Sequence, residues 1–230
     1  MMRIPNWLAG IAHIVLLVTI PVVLLVSPLY LFATNGFVRH EYGQKGFPPS
    51  TRFNTPERLR LSETVLRFIR GYESLEALAS MHTDSGEVAM RPEEVQHLAD
   101  VKVVMDGFFL GHRASVVLVL CGALLIWYSA RQELLGYALR QGIWIACGLI
   151  GFVVIASFIN FDLFFTRFHQ LFFTAESWLF YEEDTLIQLY PLPLWIDAVW
   201  KIGVLVFMEM GVFYLLSVVA RRGALNKGLT

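Results

Sequence analysis

The chain has 230 residues, 56% of them hydrophobic and 16% charged, with a formal net charge of −1. That apolar share exceeds what ordinary soluble domains carry, and the balanced charge excludes the basic footprint of a nucleic-acid-binding protein. Two cysteines are too few for a disulfide-dense scaffold, and the composition reads as one integral membrane domain over residues 1–230, with no nucleic-acid partner.

In chain order, the first element is an uncharged span at about 7–32. About 20 apolar residues suffice to cross the hydrocarbon core. The span is longer than the roughly 7–15-residue core of a signal peptide, and no A-x-A-like site follows it, so it reads as a retained anchor. Within it, His13 is a candidate ligand or proton relay, or a buried histidine bonded to a neighbouring helix.

Residues 35–107 form a long outer segment. Thr55, Pro56 and Glu57 predict an N-cap, a proline at N1 and a first-turn acid. Leu59, Val65, Leu66 and Ile69, with arginines between them, then predict an amphipathic helix that ends at Gly71. Such a helix either lies on the outer leaflet or caps the bundle. A second short helix is predicted at Glu73–Met81. Pro92, Glu93 and Glu94 open a further helix that carries His97 and feeds the second span, at about 108–130. The third span is at about 141–161. The fourth, at about 194–220, is interrupted by Asp197, Lys201 and Glu209, and Glu209 must face the protein interior with a partner. Cys121 and Cys147 both fall inside spans and read as small apolar packing residues.

Arg3, the Arg131–Arg140 connection, and Arg221, Arg222 and Lys227 lie on one side of these spans. The loop 162–193 has Arg167 against Glu176, Glu182, Glu183 and Asp184. The positive-inside rule therefore predicts both termini in the cytoplasm, with segments 35–107 and 162–193 outside. The fold class expected is all-α: a four-helix transmembrane bundle with short amphipathic helices in a long first extracytoplasmic loop.

The stretch Phe161–Pro191 is the most informative part of the chain. Phe161, Phe165, Phe168 and Phe172 follow the helical period, and His169 borders that stripe. A histidine at lipid level suits chemistry on a lipid head group, and equally suits an aromatic interfacial helix with a snorkelling ring. Close antiparallel packing of the second and third spans would bring His97 and His169 together at their outer end. Such a pair admits three readings: general acid–base catalysis, metal ligation, and structural hydrogen bonding. Asp162 is about 10.5 Å along a helix from His169, a separation that disfavours direct contact.

The pattern FDxFFxxFHxLFF, from Phe161 to Phe173, followed by Trp178 and DxLIxxxP from Asp184 to Pro191, resembles the bacterial lipoprotein intramolecular transacylases. HxxDVK, at His97, Asp100, Val101 and Lys102, is similar to a second signature of that family. The chain departs from the family pattern at Glu176 and Ser177, at Tyr181–Glu183 and at Leu98. The resemblance implies a multi-pass protein of the bacterial cell membrane with its site at the outer leaflet. It implies an acyltransferase that moves the sn-2 acyl chain of a diacylglyceryl lipoprotein to the free α-amine of its N-terminal cysteine, giving the lyso-form lipoprotein. The partners implied are that lipoprotein and membrane lipid, with no cofactor and no metal. Under this reading His97 and His169 are the catalytic pair. Asp100 or Asp162 orients a ring, and Lys102 or Arg167 stabilises an oxyanion or head group. The rivals are a non-enzymatic membrane scaffold, and a membrane hydrolase using Glu93, Glu94 and the two histidines. A transporter fits less well, because no pair of broken helices is evident.

Overall fold

A computed structural model describes residues 5–129, 131–173 and 177–227, with side chains up to Arg221. Arg3, Ala130, Glu176 and the side chains of Arg222 and Lys227, all used in the sequence reading, lie outside the described set. Ten helices are described: α1 Asn6–Val26, α2 Leu29–Phe32, α3 Asn35–Tyr42, α4 Thr55–Ile69, α5 Leu75–Ala79, α6 Pro92–Trp127, α7 Gln132–Ile159, α8 Phe161–Phe172, α9 Thr185–Leu189 and α10 Leu192–Lys227. Four stretches are long and apolar enough to cross a membrane: Asn6–Phe32, Pro92–Trp127, Gln132–Ile159 and Leu192–Arg221.

The boundaries refine the expected ones. Pro28, which has no N–H to donate, separates α1 from α2. The third span begins at Gln132 rather than 141, so the link to α6 is a tight turn rather than a loop over 131–140. Ser129 Oγ accepts from Arg131 N–H at 3.1 Å within that turn. The N-cap of α4 is Asn54, not Thr55: its side chain accepts from Glu57 N–H at 2.9 Å, which moves Pro56 to the second helical position. Gly71 ends α4 as expected, at φ 79°, a conformation glycine adopts without Cβ strain. Helices α3 and α9 were not foreseen. Each is shorter than three turns, too brief for a periodic pattern to register.

The chain divides into two compact units, each assembled from separate segments. The first takes in 1–28, 109–154 and 202–230. Its core is Leu16, Ile20 and Leu24 from α1, with Ile126, Leu135, Ala138, Ala146, Ile150, Val206 and Met210. The residues from α1 recur every four positions and so form one stripe. Gly142 on α7 lets Ile20 approach so closely that a Cβ there would sit 2.8 Å from it. Glu209 does have a partner, Ser27 Oγ at 2.5 Å, which meets the rule that an acid at this depth needs one. His13 Nδ1 is buried and has no partner among the described residues. Both cysteines are free; Cys121 is exposed and Cys147 half-buried.

The second unit comprises Leu29–Phe108 and Ile155–Lys201. The apolar face of α4 (Leu61, Val65, Phe68, Ile69) is buried here against Leu78, Met81, Leu98, Leu186 and Leu189. It is the core of this unit rather than a face laid on lipid. Polar groups inside are partnered across long sequence distances. Tyr42 donates its hydroxyl proton to Leu189 O at 2.7 Å. Tyr190 and Ser62 share a hydroxyl contact at 3.0 Å. The Arg58 guanidinium lies 4.1 Å over the Tyr42 ring and donates to Pro48 O at 3.0 Å. Burial pushes the Tyr42 phenol up to about 12 against the lowering charge of Arg58, and burial also lowers Arg58. Glu41, fully buried, is ion-paired with Lys201.

Candidate active site

α6 is one helix of 36 residues, about 54 Å at 1.5 Å per residue, and its residues up to Phe108 belong to the second unit. Its first turn is fixed by a one-sided cap. Glu94 Oε2 accepts from Arg91 N–H at 2.9 Å, the register of a capping box. The other oxygen, Oε1, accepts from Leu186 N–H at 2.7 Å and so caps α9 from outside. Asp184, also buried, accepts from Arg91 Nη2 at 2.6 Å and from Tyr181 N–H at 2.7 Å. Thr185 Oγ1 donates to Ala89 O. Segment 180–190 is thereby pinned to the start of α6, and Phe180 lies against His97.

His169 is on α8, which is a separate helix from α7. Asn160, in extended conformation, breaks the chain between them and caps α8 by accepting from Leu163 N–H at 2.9 Å. No residue of α8 is buried. Its aromatic stripe packs along itself, with Phe161 and Phe165 6.0 Å apart and Phe168 and Phe172 5.0 Å apart.

The two histidine rings meet, with centroids 6.3 Å apart and planes inclined by 24°. His97 is 8% exposed, enclosed by Phe173 at 5.1 Å and Phe180 at 5.3 Å. His169 is half-buried against Phe165 at 4.0 Å and Trp178 at 4.9 Å. Nδ1 of His169 lies 2.8 Å from the carbonyl oxygen of Phe165. A carbonyl only accepts, so Nδ1 carries the proton and Nε2 keeps the lone pair of the neutral ring. Burial lowers the pKa of His169, against the raising effect of that carbonyl. Nδ1 of His97 is buried and has no partner among the described residues.

The other candidate residues are placed as follows. Asp100 accepts from Gln96 Nε2 at 3.1 Å, and Lys102 pairs with Asp106 at 2.8 Å. Arg167 donates to Gln170 at 3.1 Å, and Asp162 is exposed in the first turn of α8. Glu93 is exposed, while both Glu94 oxygens are committed to backbone N–H groups. Among the described residues no group of three or more His, Cys, Asp or Glu side chains is placed to hold a metal ion. The sequence reading missed the enclosing role of Phe180 and the bracing by Glu94 and Asp184. The spacing of Arg91 and Glu94 carries the cap signal, but the partner across the chain, Leu186, has no local signature.

A family model described as "Lipoprotein intramolecular transacylase Lit" matches residues 13–195. An uncharacterized protein of Aquifex aeolicus is 26% identical over 203 residues, covering 85% of this chain and 88% of that one. Among solved structures, the membrane-integral lipoprotein intramolecular transacylase Lit of Bacillus cereus superposes with a TM-score of 0.75. It is 18% identical, covering 97% of this chain and 99% of that one. A variant of it with one histidine replaced by arginine gives 0.74 at 16% identity, covering 94% and 92%. The fold is that of these helical membrane proteins. With the family model spanning most of the sequence, the chain belongs to the lipoprotein intramolecular transacylase (Lit) family, and it is a membrane-integral acyltransferase of lipoprotein modification.

Proposed function

We propose that the protein moves the sn-2 acyl chain of a diacylglyceryl lipoprotein to the α-amine of its N-terminal cysteine, with His97 and His169 as the catalytic pair. The observation that carries this reading is the facing of the two imidazoles at 6.3 Å within a cage of aromatic rings.

Nucleophile and ester belong to one molecule, so holding them in attack geometry supplies much of the rate, roughly 7–11 kcal/mol in good cases. The amine, with a reference pKa of about 7.7–8.0, loses a proton on attack. His169 Nε2 takes it, since Nδ1 is already donating to Phe165 O. The C–N bond forms and the ester C–O bond breaks. That proton then passes from His169 to the departing glycerol oxygen, with His97 as the second member of the relay, so that both rings end neutral as they began. Overall one proton passes from nitrogen to oxygen, and neither ATP nor CoA is consumed. Asp100, one turn from His97, acts on the charge of that ring, and Asp162, two turns along α8 from His169, acts on its ring only through the field. Lys102 and Arg167 serve the oxyanion or head group after release from Asp106 and Gln170.

The protein works as one integral membrane domain with both termini cytoplasmic, its site at the outer leaflet of a bacterial membrane, and lipid and lipoprotein entering laterally. The charge asymmetry of the short loops supports this orientation.

The test is tandem mass spectrometry of lipoprotein N-termini from a bacterium lacking such an enzyme, with and without this gene. The reading requires an acyl chain on the cysteine amine and a monoacylglyceryl thioether only when the gene is present. Unchanged diacylglyceryl termini beside well-expressed protein would favour the scaffold reading, and free fatty acid release would favour the hydrolase.

A further inference from the structure

Residues 81–89, just before α6, double back on themselves through one antiparallel β-bridge. Ala89 N–H donates to Met81 O at 2.7 Å and Thr83 N–H to Glu87 O at 2.9 Å, with His82 bridging antiparallel to Val88 between them. His82 and Val88 are therefore a non-hydrogen-bonded pair. In an antiparallel ladder such residues turn their own N–H and C=O outward, toward the two outer edges. On one edge, Arg60 Nη2 donates to His82 O at 3.1 Å. On the other, the backbone N–H and C=O of Val88 have no partner among the described residues, and the side chain is 58% exposed.

This open edge borders a cavity of about 610 Å³. Val88, Met90 and Pro92 give it apolar walls, and Arg52, Arg91 and Asp184 its polar ones. Only part of this charge is paired within the protein, because Arg52 meets neutral acceptors. Arg91 pairs with Asp184 at 2.6 Å, and Arg52 donates to Glu183 O at 2.7 Å and Thr185 Oγ1 at 3.0 Å. Arg52 thus stays charged, and with Glu183 also in the lining the cavity presents charges of both signs. Glu94 also lines it, and His97 follows three residues later, about 4.5 Å along the helix axis.

We infer that the Val88 edge and this cavity bind the polypeptide that follows the modified cysteine of the substrate, as an added extended strand. The inference rests on the acyl-transfer reading. A cysteine whose amine sits at the histidine pair continues from its carbonyl as a chain, and three or four extended residues span about 10–14 Å. Pairing through main-chain groups gives affinity without reading side chains, with alternate side chains directed into the apolar cavity. That mode suits a substrate class whose members share a lipidated cysteine rather than a sequence.

The experiment uses the purified full-length protein in detergent micelles and two synthetic diacylglyceryl lipopeptides. One ends at the cysteine amide, and the other carries an uncharged eight-residue tail. The expected result is a kcat/KM at least tenfold higher with the tail, expressed in KM. Val88→Pro, which removes the edge N–H, should bring that ratio close to one, whereas Val88→Ala, which keeps it, should preserve the ratio. N-methylation of alternate tail amides should abolish the advantage with wild-type protein, which covers the case of a Val88→Pro chain that does not fold. Equal kcat/KM for both lipopeptides, or a tail advantage that survives both Val88→Pro and N-methylation, overturns the docking site and leaves the acyl-transfer reading intact. No transfer on either lipopeptide overturns the acyl-transfer reading and this inference with it.

Discussion

The carboxylate of Glu94 on α6 accepts the backbone N–H of Leu186 at 2.7 Å, across 92 residues of sequence. One side chain thus joins the helix that carries His97 to the segment that brings Phe180 over its ring.

Glu94→Ala removes the acceptor of two N–H groups, those of Arg91 and Leu186. At about 1–3 kcal/mol for each buried donor left unsatisfied, the expected loss is about 2–5 kcal/mol. Glu94→Gln retains one acceptor oxygen and should lose less. Unfolding of the detergent-solubilised protein measures both, and an alanine variant as stable as wild type would contradict the brace.

Lys201 is ion-paired with Glu41, which is 0% exposed and whose second oxygen has no partner among the described residues. Lys201→Met strands a buried carboxylate at a cost of about 3–5 kcal/mol. Adding Glu41→Gln removes the stranded charge, so the double variant should regain most of that stability. A double variant no better than Lys201→Met alone would show that packing, not charge, dominates there.

In the first unit, Gly142→Ala places a methyl 2.8 Å from Ile20 Cβ and Cγ2, which are too near the backbone to swing away. Overpacking of this kind costs about 1–3 kcal/mol. Gly148, with open space where its Cβ would be, is the control: Gly148→Ala should be neutral or slightly stabilising.

The pKa of His169 is lowered from its ordinary 6.5, chiefly by burial. Its neutral, proton-accepting form therefore persists to lower pH than a free imidazole's, and the acidic limb of kcat should have its midpoint below 6.5. The same shift makes the unfolded chain bind more protons than the folded one in that window. Its contribution to stability is accordingly lost as pH falls from 6.5 through the folded pKa. A pH–rate profile on a lipopeptide substrate checks the first statement; a limb at or above 6.5 would assign the base elsewhere.

The spans, the helix opening at Pro92, the α4 helix ending at Gly71 and the aromatic stripe of α8 were legible because each rests on local period or local capping. So was the approach of His97 to His169, which follows from an antiparallel pair of spans. The burial of α4 was not decided by its sequence, since an apolar stripe has the same period whether lipid or protein covers it. The acidic run at 182–184 concealed a division of labour. Glu182 and Glu183 are exposed, while Asp184 turns inward to Arg91. Nor do residues 81–89 carry a strand pattern, because two short paired stretches around Gly86 offer no period to read.

The central claim is that the two histidines act as a unit. Its most direct measurement is the rate of acyl migration on a lipopeptide labelled in the sn-2 chain, for wild type, His97→Ala, His169→Ala and the double variant, each shown to be folded. The account predicts a loss of roughly 10²–10⁴-fold for each single variant and a double variant little slower than the worse single one. A folded single variant that keeps wild-type transfer would contradict it.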